Sequence, residues 1–420
     1  MAVELIKTRL RSIPWQCSGY FALALLGHVA LLNLASYLLQ GVPVYHASQT
    51  IINTALLMTI ALVITMFTMV LMLRISIWRM TEQIFPIWVS GVATGLVLVI
   101  LLRFSYSTVY LVMITLGSVI ILLLLSFALK KTTRMRIIVM DGVDLGESEK
   151  PIVISYATAK KTASTIDALV VTQKQMQAQE WRGFLTGMAL NHIPVMTDTY
   201  YRELNEGWVD LYATNAEELI QLRFVRRYAV IKRILDIAVA ASGLILLSPL
   251  MLLVAILIRL ETPGNPIFIQ HRTGLRGKPF RMLKFRSMVA DAAKHGKPFT
   301  NVNDDRITFI GRIIRPIRID ELPQLINVLL GSMSVIGPRP EEHFLNNQLE
   351  AEIPHYAFRL AVRPGITGWA QVMQGYADDL KSTETKLSYD LFYIKNMSLM
   401  MDMVIFFRTI KTIVTGFGAR

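Results

Sequence analysis

Residues 311–340 read GRIIRPIRIDELPQLINVLLGSMSVIGPRP, and the fold of the C-terminal half turns on them. Leu322, Leu325, Ile326 and Leu329 recur at helical spacing, with Pro323 near the start and Gly331 just past the end. Two adjacent carboxylates, Asp320 and Glu321, stand at the head of that helix among Arg312, Arg315, Arg318 and, further on, Arg339. A helix N-terminus and nearby cations hold a carboxylate ionised. The same free N–H groups bind phosphate. Asp320 and Glu321 are therefore candidate catalytic residues, suited to attacking a phosphoryl group or assisting its transfer. The plain alternative is a helix capped by acids on a solvated basic face.

Working outward, the chain reads as a membrane protein. Of its 420 residues 53% are hydrophobic, and mean hydropathy is +0.46. Four long apolar runs, 20–39, 51–73, 84–102 and 108–129, each approach the ~20 residues that span a bilayer. No A-x-A-like site follows the first run, which predicts a span rather than a cleaved leader. Lys7, Arg9 and Arg11 precede the first run, and residues 41–50 contain neither Lys nor Arg. Arg74 and Arg79 occupy the next link, Arg103 alone the one after, and Lys130, Lys131, Arg134 and Arg136 follow the last run. This alternation predicts a four-helix membrane bundle over 1–130 with both ends cytoplasmic.

Residues 131–227 predict a cytoplasmic α/β domain. Strand-like runs at 136–140, 152–156, 168–171 and 193–196 surround a helical pattern at 175–190. After the first strand comes DGVDLGES instead of a Gly-x-Gly-x-x-Gly loop, so the phosphate cradle of a Rossmann domain is missing. A degenerate Rossmann-like scaffold or regulatory domain is the expectation.

A fifth apolar run, 234–260, is long enough to cross, yet both flanks are basic. Arg226, Arg227, Lys232 and Arg233 lie upstream; Arg259, Arg272, Arg276, Lys278, Arg281, Lys284 and Arg286 lie downstream. Ser248-Pro249 interrupts the run, and proline removes a helix hydrogen bond. Both flanks staying cytoplasmic requires a re-entrant helix-break-helix; the alternative, a kinked fifth span, exports every downstream cation. Near the C-terminus, 399–407 is apolar but carries Asp402, which suits a helix at headgroup level or a packed helix of the domain. The net charge of +13 comes without any nucleic-acid motif and flanks membrane segments, which points to anionic lipids and anionic substrates. The single cysteine, Cys17, excludes an internal disulfide and a Cys-based metal site.

From Lys232 to about Thr412 the chain resembles the bacterial sugar transferases, the monotopic polyprenyl-phosphate phosphoglycosyl transferases. The matching motifs are KRILD with its Ser-Pro-interrupted apolar hairpin, TPGNPIFIQHRTGLRGKPF, LKFRSM, NDDRIT, GRIIR, RIDELPQLINVL, MSVIGPRPE, RPGITGWAQV and YDLFYIKNMSL followed by Asp402. The upstream spans and α/β domain resemble the long, exopolysaccharide-initiating branch.

The resemblance implies an α-rich α/β monotopic catalytic domain over 228–420 with its membrane hairpin at 234–260. It implies transfer of a hexose 1-phosphate from a UDP-sugar to undecaprenyl phosphate, with release of UMP, at the inner membrane. Asp320 would be the nucleophile and Glu321 would position the metal or assist proton transfer. Mg²⁺ would be the cofactor, with Asp320 and Glu321 as its protein ligands and Asp305 within reach. Lys284, Arg286, Arg315 and Arg363 would face phosphates. Pro338, Arg339 and Pro340 would contact uridine. Pro364, Gly365 and Thr367 would close over the nucleotide. Trp369 suits packing equally, and Asp304, Asp305 and Arg306 suit structural pairing. Glucose or galactose is the expected sugar. Expected partners are the UDP-sugar, undecaprenyl phosphate, membrane lipids and a second copy of the chain, with no nucleic acid. Two places depart from the family pattern: Arg315-Pro316-Ile317-Arg318, where a basic-then-hydroxyl stretch is usual, and Gly331-Ser332-Met333-Ser334. The rival functions are a non-catalytic scaffold of polysaccharide assembly and a glycosyltransferase that releases UDP.

Overall fold

The structure, a computed structural model, describes residues 15–73, 105–132, 136–143, 145, 152–154, 168–191, 193–214, 225–289, 306–374 and 379–415. The expected span 84–102 and the candidate residues Asp304 and Asp305 lie outside these residues. The chain divides into two compact units, Met1–Glu206 and Gly207–Arg420.

In the first unit, helices Trp15–Gln40, Gln49–Leu73 and Thr108–Thr132 are apolar nearly all round. They share a core that includes Leu32, Met58, Leu62, Ile114 and Leu122, and expose Leu26, Phe67, Leu124 and other apolar side chains outward, as lipid-facing helices do. With Tyr228–Glu261 they make four described helices apolar and long enough to cross a membrane. Polar side chains tie the three together. His28 lies 3.3 Å from the Thr59 hydroxyl and 3.2 Å from that of Ser118, and the Tyr110 hydroxyl donates to the Leu32 carbonyl at 2.9 Å.

The same unit contains a parallel sheet of β1 (Arg136–Val139), β2 (Ile152–Ile154), β3 (Ala168–Val171) and β4 (Val195–Thr197), in the order β2-β1-β3-β4. Alternate residues serve two cores. Ile137, Ala168, Val170 and Met196 face one way with Tyr201; Ile138, Leu169 and Val171 face the other, against Phe184, Leu185 and Met188. In the strand order β1 has β2 as its outer neighbour on one flank and β3 has β4 on the other. The crevice beyond these two strands is where such folds bind ligands. Here Gln175 reaches across it and donates to the Asp141 carbonyl at 2.9 Å, while its amide oxygen and backbone N–H complete a capping box with Thr172.

The second unit is organised on the 37-residue helix Val225–Glu261. A break was expected at Ser248-Pro249, but the helix runs through it. Pro249 cannot donate to the Ile245 carbonyl, and the Ser248 hydroxyl does so instead at 2.9 Å. Both ends of the helix pack on the same unit. Ala240 joins Met282, Leu325, Val328 and Met333; Val254 and Ile258 join Phe285 and Ile314. Ile245, Leu246, Leu252 and Leu253 between them are exposed. Around the helix stand an antiparallel hairpin, β5 (Ile267–Thr273) and β6 (Pro279–Phe285), and a parallel pair, β7 (Ser334–Ile336) and β8 (Gly365–Thr367). The C-terminal helix Leu399–Thr415 buries Met401, Val404, Ile405 and Phe407, and Asp402 pairs with Lys232 at 2.6 Å. It is a packed helix of this unit. Residues 207–214, expected with the α/β domain, also lie in this unit.

Candidate active site

Helix Phe309–Ile314 is capped by Thr308, whose hydroxyl accepts from the Gly311 N–H at 3.0 Å. The chain then turns at Arg318, left-handed at φ 56°, into a 3₁₀ turn, Ile319–Glu321, and enters helix Gln324–Leu330. Asp320 and Glu321 therefore stand one turn ahead of the helix instead of opening it. Pro323 takes the N-cap, where a missing N–H does no harm, and Gly331 closes the C-terminus at φ 87°. Asn327 fixes this helix to β6, donating to the Arg281 carbonyl at 2.7 Å and accepting from the Leu283 N–H at 2.9 Å.

The two carboxylates have opposite surroundings. Glu321 is buried and ringed by cations: Oε1 lies 2.6 Å from Arg339 Nη2, 3.7 Å from Arg318 Nη1 and 3.8 Å from Lys284 Nζ. Burial alone would push its pKa up, but Arg339, Lys284 and Arg318 hold it at about 2. Asp320 makes no side-chain hydrogen bond or ion pair among the described residues. Burial and the Glu321 charge push it up to about 6 against the pull of Lys284, Arg339 and Arg315. Arg315 keeps its Nη1 buried without a hydrogen-bond partner among the described residues. Burial and the Arg339 charge bring Lys284 down to about 8, opposed by Glu321 and Asp320. The result is one neutralised carboxylate, one available carboxylate and cationic N–H capacity beside it. That is a place for phosphate oxygens.

Arg339 reaches Glu321 because its loop is held from behind. The Arg339 carbonyl accepts from Arg359 at 2.8 Å and the Pro340 carbonyl from Arg272 at 3.3 Å. Arg359 also pairs with Asp390 at 3.0 Å, and Glu341 pairs with Lys386, with Arg359 at 3.7 Å and with Arg272 at 3.8 Å. Burial would raise the Glu341 pKa, yet these three cations lower it to about 2. A shallow cleft opens beside this network, with Thr273, Pro338, Pro340, Leu360 and Pro364 in its wall. The loops on either side interlock: a Cβ on Gly365 would lie 2.1 Å from the Gly337 nitrogen, so only glycine fits. Sequence reasoning missed Arg272, Glu341, Arg359, Lys386 and Asp390. Only Arg359 in YAFRLAV and Asp390 in YDLFYI carried a signal, a charge inside an otherwise apolar run.

Asp320, Glu321, Lys284, Arg315 and Arg339 are thus brought together. Other residues expected at phosphate or nucleotide make contacts within the protein. Arg286 donates to the Thr262 carbonyl and hydroxyl at 2.6 and 2.8 Å and to the Pro263 carbonyl at 3.0 Å, fastening the exit of the long helix. Arg363 Nε donates to the Gly331 carbonyl at 3.0 Å, at a helix C-terminus that favours a cation. The Thr367 hydroxyl pairs with that of Thr409 at 2.8 Å. Trp369 is buried and its indole N–H donates to the Gly207 carbonyl at 2.7 Å. Pro338 and Pro340 are buried in the loop that carries Arg339. Among the described residues no group of three or more His, Cys, Asp or Glu is placed to hold a metal ion.

Residues 227–416 match the family described as bacterial sugar transferase. The chain is 49% identical over 243 residues, 58% of its own length and 57% of the relative's, to the UDP-N-acetylgalactosamine-undecaprenyl-phosphate N-acetylgalactosaminephosphotransferase of Aeromonas hydrophila. It is 42% identical over 186 residues, 44% of this chain and 70% of the relative, to the UDP-glucose:undecaprenyl-phosphate glucose-1-phosphate transferase of Caulobacter vibrioides. It is 43% identical over 194 residues, 44% of this chain and 96% of the relative, to exopolysaccharide production protein PSS of Rhizobium leguminosarum bv. phaseoli. The match to the Aeromonas protein spans little more than half of that relative. With the GPRP and RIDELPQ motifs converging on one carboxylate pair, the chain belongs to the bacterial sugar transferase family.

Proposed function

We propose that this chain is an undecaprenyl-phosphate sugar phosphotransferase, moving a hexose 1-phosphate from a UDP-sugar to undecaprenyl phosphate in the first membrane step of exopolysaccharide synthesis. The observation that carries the reading is the asymmetry of the dyad: Glu321 is neutralised by three cations while Asp320 is left available beside Arg315. An oxygen of Asp320 attacks the β-phosphorus, the bond from that phosphorus to the oxygen bridging to the α-phosphate breaks, and UMP leaves. The phosphosugar is then held on the carboxylate. An oxygen of undecaprenyl phosphate attacks the same phosphorus and frees Asp320, leaving undecaprenyl-diphospho-sugar. Splitting the transfer makes each half easier. Lys284, Arg315 and Arg339 offset the charge on the phosphoryl oxygens.

The donor set suits Mg²⁺, which takes one or two carboxylates and completes its shell with water and substrate phosphate oxygens. Asp320 is the carboxylate whose oxygens are free among the described residues; Glu321, engaged by Arg339, borders it. When bound, the ion would lower the charge of the phosphates.

Two observations support a helix Val225–Glu261 that bends at Pro249 without losing its hydrogen-bonded continuity, and so enters and leaves on the cytoplasmic face of the bacterial inner membrane. Its two ends pack on one unit, and both flanks are basic. A thiol at exposed Arg276 (Arg276→Cys, in a Cys17→Ser background) should react with an impermeant reagent only from the cytoplasmic side. Labelling from outside spheroplasts would refute this topology.

The function is tested by the nucleotide product. Membranes containing the chain, given undecaprenyl phosphate, Mg²⁺ and a panel of UDP-sugars, should release UMP. UDP would indicate a glycosyltransferase, and no nucleotide a scaffold. The higher identity to the N-acetylgalactosamine enzyme, 49% against 42% for the glucose enzyme, favours a UDP-N-acetylhexosamine as the donor that gives the fastest release.

A further inference from the structure

Residues 207–214 precede the family-matched segment 227–416, yet they belong to the C-terminal unit. Gly207 has φ 71°, a conformation glycine adopts without strain, and its carbonyl accepts the Trp369 indole N–H at 2.7 Å. The Val209 N–H donates to the Ser388 carbonyl at 3.1 Å. Val209 and Leu211 are 0% and 4% exposed, whereas the next residue, Tyr212, is 73% exposed. Asp210 folds the end of the segment by accepting the N–H groups of Tyr212 and Ala213 at 3.0 and 3.1 Å. A connector with no role in the unit would leave Val209 and Leu211 in water; here they are seated.

The segment seats on a residue that matters to the loops. The Trp369 ring packs against Phe392, with the Arg408 guanidinium 5.0 Å over its face. Immediately before it, a Cβ on Gly368 would lie 2.2 Å from the Gly337 carbonyl oxygen, so the two loop backbones are in direct contact there. Thr367 pairs with Ile336 in the β7–β8 ladder. The position of Trp369 therefore bears on loop 363–368 and, through Gly337, on the loop that points Arg339 at Glu321.

We propose that Gly207–Thr214 is a positioning strap: by holding Trp369 it sets the loops that receive the nucleotide, so chain upstream of the sugar transferase segment contributes to nucleotide affinity without touching the ligand. This rests on the functional reading above for the identity of the ligand. Strap seating and nucleotide binding are then coupled, and the coupling is reciprocal: whatever factor strap release takes from UMP affinity, UMP returns as strap closure.

The test uses the full chain in a Cys17→Ser background with UMP as probe. A thiol at position 211 (Leu211→Cys) should react with a maleimide far more slowly than one at exposed position 212 (Tyr212→Cys), and saturating UMP should slow it further. Val209→Asp, added to Leu211→Cys, should raise labelling at 211 to the rate at 212 and weaken the UMP Kd about tenfold, roughly 1.4 kcal/mol. Trp369→Phe removes the indole donor together with part of the ring that packs on Phe392 and Arg408, and should weaken UMP about threefold while the protein still unfolds cooperatively. Equal labelling at 211 and 212 in the otherwise unaltered chain would overturn the strap. So would freed labelling at 211 with unchanged UMP affinity. If Val209→Asp does not fold, UMP protection at 211 and the Trp369→Phe Kd decide. Failure of the unaltered chain to bind UMP, with 211 still protected, refutes the nucleotide reading while leaving the strap seated.

Discussion

Among the described residues, two places could by their topology hold an anionic ligand, and they differ in what they leave unmet. The crevice beyond β1 and β3 is the standard ligand position of a parallel α/β sheet. Here, among the described residues, Gln175 joins Thr172 to the Asp141 carbonyl, and the sequence after β1 has no Gly-x-Gly-x-x-Gly loop. At the turn 319–321, charges accumulate faster than they cancel. Glu321 neutralises part of the positive charge of Arg339, Lys284 and Arg318, while Asp320 and Arg315 Nη1 have no partner among the described residues. A site is recognised less by its fold position than by hydrogen-bonding and charge capacity that the protein itself leaves open.

The comparison breaks first at Asp320. Asp320→Asn keeps the size of the side chain and removes the nucleophile. UMP release should fall by at least about a thousandfold, the scale on which loss of a covalent catalyst acts. The variant should still extract with membranes and unfold at or above the wild-type temperature, since Asp320 makes no hydrogen bond among the described residues and its charge is disfavoured by burial and by Glu321. A phosphosugar trapped on any other residue would sink the assignment.

Glu321→Gln should act differently, on stability as well as rate. It leaves Arg339 and Lys284 facing an amide, and the cations, no longer offset, repel each other. We expect a 10- to 100-fold loss of activity, about 1.4–2.7 kcal/mol, and a measurable fall in Tm. Equal Tm values for Asp320→Asn and Glu321→Gln would contradict the division of roles.

Much of this organisation is legible in the sequence and some is not. Apolar runs and the dyad's helix declare themselves because their signals are local. The network behind the GPRP loop does not. Arg272, Glu341, Arg359, Lys386 and Asp390 are spread over more than a hundred residues of chain, and each alone reads as a surface charge. Arg286 and Arg363 carry a second lesson: a cation near a motif reads as a phosphate ligand, and the sequence does not show that each also satisfies backbone carbonyls. The Ser248-Pro249 break was over-read because the missing N–H is replaced by a hydroxyl one residue earlier.

Acidity sharpens the comparison at intermediate scale. Asp320, pushed up to about 6, must be ionised to attack, so activity is lost as pH falls through that value. Lys284, brought down to about 8, must be charged to oppose phosphate, so activity is lost as pH rises through it. The kcat/KM profile should be a bell with limbs near these values. Lys284→Arg keeps the charge at any accessible pH and should remove the alkaline limb, at a severalfold cost in rate from altered geometry. An alkaline limb unchanged in Lys284→Arg would assign it to another group.

The smallest effect belongs to the other region. Gln175→Ala removes the donor to Asp141 and half of the capping box, opening the β1–β3 crevice. If this crevice is filled by the protein itself, the change alters only local stability. One capping interaction and one exposed hydrogen bond together amount to about 1–2 kcal/mol. A faster hydrogen exchange at the Met140 amide, which donates to the Val170 carbonyl, would report that local loosening. UMP release and the Kd for UMP should stay within about twofold of wild type, because Gln175 contributes nothing to the charge around Asp320. A large change in either would mean that the sheet crevice carries a ligand whose occupancy the enzyme needs, and the contrast drawn between the two regions would fail.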